Sequence, residues 1–222
     1  VGVVSRADIM GALAAMLFEE NMLRAFSGAE YYFIISLLDV KDPSRKNFFF
    51  YRPIVREEFV DAKADDNGYL LVYIDKQHLP EFTSIAKNNF PERKFVVYGM
   101  GKNSTDRNIT YRDFSDDKWM EDMKNCSGVV CHGGMSTISE AVVLRKPLYI
   151  VPTPGWFERL HNASIVQKLG YGAVEEKPTI SGMRQFLRNL SMYMGRLRKG
   201  GIQPSNEEFI RKLEEVIVRL KK

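Results

Sequence analysis

Cysteine is nearly missing from this chain: Cys126 and Cys131 are the only two in 222 residues. Two thiols cannot build a disulfide framework, and their short spacing has no second ligand pair to make a zinc site, so reduced thiols in a cytosolic setting are expected. Histidine is also scarce. His78 and His161 stand isolated and read as surface or structural residues, which leaves His132. Long apolar runs are lacking too. The longest, residues 31–38, is broken only by Ser36 and is strand-sized, far short of the about 18 apolar residues of a membrane span. No secretory signal pattern stands at the start. Charge of one sign does not dominate: 32 basic and 28 acidic residues leave a net +4. That is too weak to argue for nucleic acid, and it suits an anionic ligand or an anionic membrane face. The chain opens on Val1 rather than Met, and a lost preceding segment is expected.

What is present is ordinary for a globular protein, with 45% hydrophobic and 27% charged residues, in a length fit for one large or two small domains. Residues 5–26 carry Ile9, Leu13, Met16 and Leu17 at helical steps, and Ser27-Gly28 ends that helix. Residues 31–38 and 47–51 read as strands, and the polar stretch 61–68 as a linker. From there the pattern is regular. Strands are expected at 69–74, 94–98, 109–114, 128–131, 148–151 and 173–175. Helices are expected at 79–89, 119–125, 136–145, 159–169, 179–193 and 207–220. Pro80 fits the first turn of one helix, and Gly170 closes another. The last helix carries an apolar stripe, Phe209, Leu213, Val216 and Leu220, that could pack on its own domain or on another. Strands alternating with helices at this spacing mean βαβ units: an α/β fold with a doubly wound parallel sheet. Residues 68–222 hold enough units for a complete domain. Residues 1–60 do not, and read as the remnant of a preceding domain with its crossover.

In such a sheet, ligands sit at the carboxyl ends of the strands. Four polar or glycine-rich loops leave those ends, at 75–77, 99–103, 112–115 and 132–136. The last carries the most chemistry. A strand running into His132-Gly133-Gly134-Met135-Ser136-Thr137 and then a helix aims backbone N–H groups at an anion, with the helix N-terminus adding partial positive charge. Glycines allow close approach, and the Ser136 and Thr137 hydroxyls can donate. His132 can donate to a diphosphate oxygen. Glu140 follows one turn beyond Ser136, about 6 Å along the same face, where a carboxylate can accept both hydroxyls of a ribose. Plainer readings exist. Thr137-x-x-Glu140 also fits a capping box, His132 could be a core histidine, and a lone Gly-Gly matches neither the Rossmann nor the P-loop spacing.

The run from Val130 to Ala141, then Lys146-Pro147, Val151-Pro152, Asn162-Ala163 and Gly170-Tyr171-Gly172, resembles the donor half of GT-B glycosyltransferases, closest to the family 28 and family 1 types. Arg52-Pro53-Ile54-Val55-Arg56 resembles the crossover into their C-terminal domain. The resemblance implies a Rossmann-like C-terminal domain that binds a nucleotide-sugar donor, expected to be UDP-linked. It implies that His132, Gly133, Gly134, Met135, Ser136 and Thr137 hold the diphosphate and Glu140 the ribose. It places the nucleobase at Arg112, Asp113 and Phe114, with a core anchor as the alternative for Phe114. Glu158-Arg159 falls where relatives have Asp-Gln or Glu-Gln at the donor sugar. The arginine departs from that pattern. Its planar fork suits a carboxylate, as in an acidic sugar; contact with Glu158, solvent or the diphosphate are the alternatives.

The resemblance further implies no metal and no cofactor beyond the donor. No Asp-x-Asp occurs, and Asp65-Asp66 and Asp116-Asp117 read as turn or helix-start residues. The expected partners are the donor, an acceptor that can be lipid-linked, and a missing N-terminal domain or partner subunit supplying the catalytic base; nucleic acid is not expected. Location would be cytoplasmic, with peripheral contact at the inner membrane face compatible. Two other functions remain open on this reading: a UDP-GlcNAc 2-epimerase, and a sugar-nucleotide-binding subunit inert by itself, like the soluble half of the split dolichol-linked GlcNAc transferase.

Overall fold

The computed structural model describes residues 29–38 and 47–221. The helix expected at 5–26 lies outside them. The first elements are two short strands, β1 (Tyr32–Ile35) and β2 (Phe48–Tyr51), paired in parallel. A single helical turn, α1 (Glu57–Val60), follows, with Phe59 buried. The rest of the chain builds a seven-stranded sheet. Its elements are β3 (Tyr69–Tyr73), α2 (Leu79–Asn89), β4 (Lys94–Tyr98), β5 (Ser104–Asp106), β6 (Ile109–Arg112), α3 (Asp116–Asn125), β7 (Gly128–Cys131), α4 (Met135–Val143), β8 (Leu148–Ile150), α5 (Phe157–Leu169), β9 (Gly172–Val174), α6 (Ile180–Arg188), α7 (Leu190–Gly200) and α8 (Asn206–Leu220).

The strand order is β5-β6-β4-β3-β7-β8-β9, parallel except for β5. The chain winds from β3 one way through β4 and β6, then returns to β7 and winds the other way. The central strands are buried on both faces, which is why they read as unbroken apolar runs. Alternate residues serve opposite layers. Leu71, Val129 and Cys131 join one core with Trp119, Met123, Ile138 and Ala141. Leu70, Val72 and Val130 join the other with Phe82, Phe95, Tyr149 and Phe186. Lys146 is buried below the sheet, where its ammonium donates to the carbonyls of Asp65 and of Cys126, the latter at 2.7 Å. The Lys-Pro pair of the motif therefore ties the polar stretch before β3 to the strand entering the site.

Three expectations need correction, and one strand has no counterpart among them. The helix expected at 179–193 is two: Asn189 leaves helical geometry at φ −101°, ψ 6°, and α7 then runs on to Gly200. The strand expected at 109–114 stops at Arg112, so Asp113 and Phe114 lie in a loop. The helix expected from 119 starts at Asp116, with Asp116 and Asp117 in its first turn, where acidic side chains complement the helix dipole. The β5 edge strand escaped sequence reading because all three residues are exposed and none is apolar.

The first strands are not left bare. Phe209 of α8 sets its ring edge-on to Phe33 at 5.5 Å and to Tyr51 at 5.4 Å. Asn206 brackets Val55, accepting from its N–H at 3.1 Å and donating to its carbonyl at 2.7 Å. Of the expected stripe, Phe209 therefore packs on residues before the large sheet and Val216 is buried, while Leu220 is 58% exposed. Among the described residues no helix is long and apolar enough to cross a membrane.

Burial makes a pH prediction. It pushes both thiols, Cys126 and Cys131, from the usual 9.0 to about 12. Below pH 9 they are protonated in both states and their contribution is intact. As pH climbs from 9 toward 12, only the unfolded chain releases these protons, and stability falls by about 1.4 kcal/mol per pH unit for each thiol. Burial of the Lys146 ammonium pulls its pKa down and opposes the loss with a single proton. The urea midpoint is expected to drop between pH 8.5 and 10.5. The double variant Cys126→Ala/Cys131→Ala should flatten that slope; an unchanged slope refutes the assignment.

Candidate functional site

The reversal of winding places the carboxyl ends of β3 and β7 side by side, and a crevice opens there because the crossovers leave to opposite sides. Asp75 leaves the end of β3, His132-Gly133 the end of β7, and Thr153 the end of β8.

His132 is half-buried against Tyr73, with ring centroids 5.1 Å apart. Its Nδ1 accepts the Gly134 N–H at 3.2 Å. Burial first, and the Arg159 guanidinium second, hold its pKa below the ordinary value. A neutral imidazole accepting at Nδ1 carries its proton on Nε2, so His132 is a hydrogen-bond donor at that atom. Gly133 has φ +92°. A Cβ there would stand 2.9 Å from the Arg159 carbonyl oxygen, so only glycine fits the turn. The Gly133 carbonyl accepts from the buried Asn162 amide at 3.0 Å.

Gly134 is the N-cap of α4, and no side chain caps that end. The first helical N–H groups, on Met135, Ser136 and Thr137, therefore lie at the helix mouth without intrahelical acceptors. Ser136 is exposed, Met135 is half-buried and Thr137 is buried. Thr137 and Glu140 sit inside the helix, three and six residues past the cap, so the capping-box reading is wrong. Glu140 is 6% exposed. One carboxylate oxygen accepts the Trp119 indole N–H at 3.0 Å, and the other lies 3.6 Å from the Arg56 side chain. Burial raises its pKa, while these two partners pull it back down.

The loop after β6 divides its three residues. Arg112 turns back under the sheet end, 3.3 Å from the buried carboxylate of Asp122. That carboxylate also accepts the Tyr98 hydroxyl at 2.7 Å and the Tyr69 hydroxyl at 3.2 Å. Asp113 accepts the Phe114 N–H at 2.9 Å, and its own N–H donates to Asn103 at 3.0 Å. Phe114 is 51% exposed. It lies over Trp119 at 5.6 Å and 25°, with Tyr98 and Tyr73 at its edges. The core-anchor reading of Phe114 is thereby corrected: it is an open aromatic face on an aromatic base.

Glu158 and Arg159 open α5 and diverge. Glu158 is exposed, within 3.4 Å of the Asn162 amide. Arg159 turns inward, away from Glu158 and from solvent. Its guanidinium donates to the Thr153 hydroxyl, stands 4.0 Å from Asp75 and lies over the Trp156 ring at 4.6 Å. Sequence reading had picked the 75–77 loop but gave Asp75, Thr153, Trp119, Asp122 and Arg56 no part. Only Asp75 had a signal, as the first polar residue past a central strand; the rest meet through contacts distant in sequence.

A sequence model of the family described as Glycosyl transferase family 1 matches residues 13–191. The chain belongs to that family. Among curated proteins none matches significantly. Solved structures share the fold of this family 1 member. The calicheamicin glycosyltransferase CalG4 aligns with TM-score 0.63 at 16% identity, over 99% of this chain and 63% of its own. The spinosyn forosaminyltransferase SpnP aligns with TM-score 0.59 at 16% identity, over 84% and 55%. SsfS6 from Streptomyces sp. SF2575, solved with thymidine diphosphate, aligns with TM-score 0.54 at 19% identity, over 82% and 51%. The fold is that of GT-B glycosyltransferases, and the chain spans between about half and two thirds of the length of these structures.

Gly133 gives the site its most direct test. Gly133→Ala meets both a forbidden φ and the Arg159 carbonyl, so a loss of about 1–3 kcal/mol is expected. Urea denaturation measures it. An unchanged midpoint would mean that the α5 start is free to move away from β7.

Proposed function

We propose that this chain binds the nucleotide-sugar donor of a glycosyltransferase that moves a sugar from a nucleoside diphosphate to an acceptor hydroxyl. The observation that carries the reading is the mouth of α4 at the switch-point crevice, where the first N–H groups of the helix carry no side-chain cap and His132, its Nδ1 taken by the Gly134 N–H, stands two residues before the N-cap. Transfer leaves negative charge on the departing diphosphate. Fixed donors there stabilise that charge without reorganising as it develops. Roles follow the crevice outward. His132, Gly133, Gly134, Met135, Ser136 and Thr137 take the diphosphate, and Glu140 the ribose. Phe114 takes the face of the base, with the Arg112-Asp113 backbone at its edge. Glu158 borders the sugar end, and Arg159 stands between it and the diphosphate end, beside His132. No step in this assignment uses a metal or a further cofactor.

The nucleotide is a pyrimidine diphosphate in this reading, with UDP as the first candidate. TDP is the second, because SsfS6 and the spinosyn rhamnosyltransferase SpnG were solved with thymidine diphosphate. The acceptor site and the base that activates it belong to a further domain or partner subunit, in keeping with the part of the relatives' length that this chain spans. We place the protein in the cytoplasm. A lipid-linked acceptor would bring it to the membrane face, where Trp156, Phe157 and Leu160 are already exposed beside the crevice.

Titration calorimetry with UDP and TDP tests the site. His132→Ala should weaken binding about ten- to hundredfold by removing a donor to a charged oxygen. Phe114→Ala should cost about 1–3 kcal/mol of base stacking. A wild-type chain silent toward both nucleotides at millimolar concentration ends the reading. If Glu140→Ala lowers thermal stability yet leaves affinity intact, Glu140 is only a structural tie. Turnover has its own test: robust sugar transfer by the purified 222-residue chain without a partner refutes the assignment of the base elsewhere.

A further inference from the structure

Asp75 is a carboxylate standing in a crevice assigned to an anion. By charge alone it weakens that assignment, so its surroundings need an account. Its Oδ2 accepts the Thr153 hydroxyl at 3.2 Å. Thr153 is buried, and the same hydroxyl oxygen accepts from the Arg159 guanidinium. The three residues form a one-way relay: Arg159 donates to Thr153, and Thr153 donates to Asp75. Arg159 itself lies 4.0 Å from Asp75, too far for a direct hydrogen bond. The Trp156 ring covers one face of the guanidinium at 4.6 Å. Anchored at one nitrogen and covered on one face, the fork keeps N–H donors to spare.

The backbone of Arg159 is fixed independently, because its carbonyl oxygen and Cβ lie against Gly133. That contact puts the side chain beside His132, where it already acts on the imidazole electrostatically. A sugar-reading role would need the guanidinium directed out with Glu158. Instead it is tied inward, toward the end of β3.

We propose that Asp75, acting through Thr153, is a positioning residue that holds the Arg159 guanidinium beside His132 as a fixed cation for the donor diphosphate. The proposal rests on the donor-binding reading above and adds a cation, and the residue that aims it, to a cradle otherwise built of neutral donors. The carboxylate thereby earns its place in an anion site: what it costs by repulsion it returns by keeping a long, flexible side chain in one geometry. Arg159 then serves all donors alike, whatever sugar they carry, and its departure from the usual glutamine does not select an acidic sugar.

The sign of one substitution separates this from simple electrostatics. Asp75→Asn removes a negative charge from the site at nearly constant volume. Coulomb repulsion alone predicts tighter UDP binding; positioning predicts UDP binding about two- to tenfold weaker. Thr153→Val breaks the relay with every charge retained and should weaken UDP binding by a similar factor. Arg159→Gln should weaken UDP about ten- to hundredfold. Uridine, which has no phosphate, should bind all variants as it binds wild type. UDP-glucose and UDP-glucuronate should lose affinity for Arg159→Gln in parallel.

The imidazole of His132, followed by NMR through a pH titration, reports where the guanidinium goes. In Asp75→Asn its pKa should rise, because Arg159 moves off. A fall or no change, with Arg159 still in place and its counter-charge gone, overturns the proposal. So does UDP binding that is unchanged or tighter in Asp75→Asn, or a loss confined to UDP-glucuronate in Arg159→Gln. Wild-type binding of UDP or TDP with unaffected variants removes this proposal alone. Wild-type silence toward both nucleotides removes the donor-binding reading and this proposal with it.

Discussion

At Gly133 the chain turns at the head of the crevice with a positive φ, and the absence of a side chain there sets the position of α5. The backbone takes φ +92° and leaves no room for a Cβ in front of the Arg159 carbonyl. With that space empty, the first turn of α5 can lie against the end of β7. Asn162 then reaches the Gly133 carbonyl and fixes the turn from the helix side. Arg159 is delivered next to His132 by the same contact. The Nδ1 of His132 is occupied by the N–H of the following glycine, which leaves the proton on the outer nitrogen. One missing side chain thus fixes a helix position and a guanidinium position, and the N–H of the next glycine fixes the imidazole tautomer.

The crevice also grades from apolar to polar along its length. At one end Phe114 presents an open ring face, backed by the buried rings of Trp119 and Tyr98 and by the half-buried Tyr73. One charged pair at that end is withdrawn beneath the rings: Asp122 is buried and takes Arg112 with two tyrosine hydroxyls. Burial and the Asp122 carboxylate both push the Tyr98 and Tyr69 hydroxyls up, so they stay protonated and keep donating. At the other end the groups are N–H donors and a cation, with the Asp75 carboxylate joined to that cation through the Thr153 hydroxyl. A ligand with a flat neutral head and an anionic tail matches that order, whereas an anion alone would leave the aromatic face unused.

Local chemistry made part of this visible before any coordinates. The ends of α2, β4 and β7 coincide with the sequence reading because Pro80, the glycines and unbroken apolar runs punctuate the chain there. His132-Gly133-Gly134 was readable for the same reason: a turn that needs glycine writes itself into consecutive residues. What sequence could not supply were partners. Thr153 and Asp75 are separated by 78 residues and meet only because β3, β7 and β8 lie side by side. The pattern Thr137-x-x-Glu140 was ambiguous locally, and three residues of N-terminal helix extension decided it, since the cap falls at Gly134. The break at Asn189 and the polar β5 carry no hydrophobic signature at all, so periodicity could not find them.

The segment before the large sheet takes part in the electrostatics of α4 as well as in the packing. Arg56 caps α1, which packs on α4. From there its side chain spans two carboxylates, 3.6 Å from Glu140 and 3.5 Å from Asp116. Burial alone would push Glu140 toward its protonated form, and a protonated carboxyl offers fewer acceptor sites to a pair of hydroxyls. The Arg56 charge works against that shift, as does the indole N–H of Trp119. One nitrogen of the guanidinium, Nη1, is buried with no hydrogen-bond partner among the described residues, a state that costs about 1–3 kcal/mol. Any ligand hydroxyl that reaches Glu140 must share the carboxylate with Arg56 and Trp119. A single arginine thus joins the segment before the large sheet to the charge state of the Glu140 carboxylate.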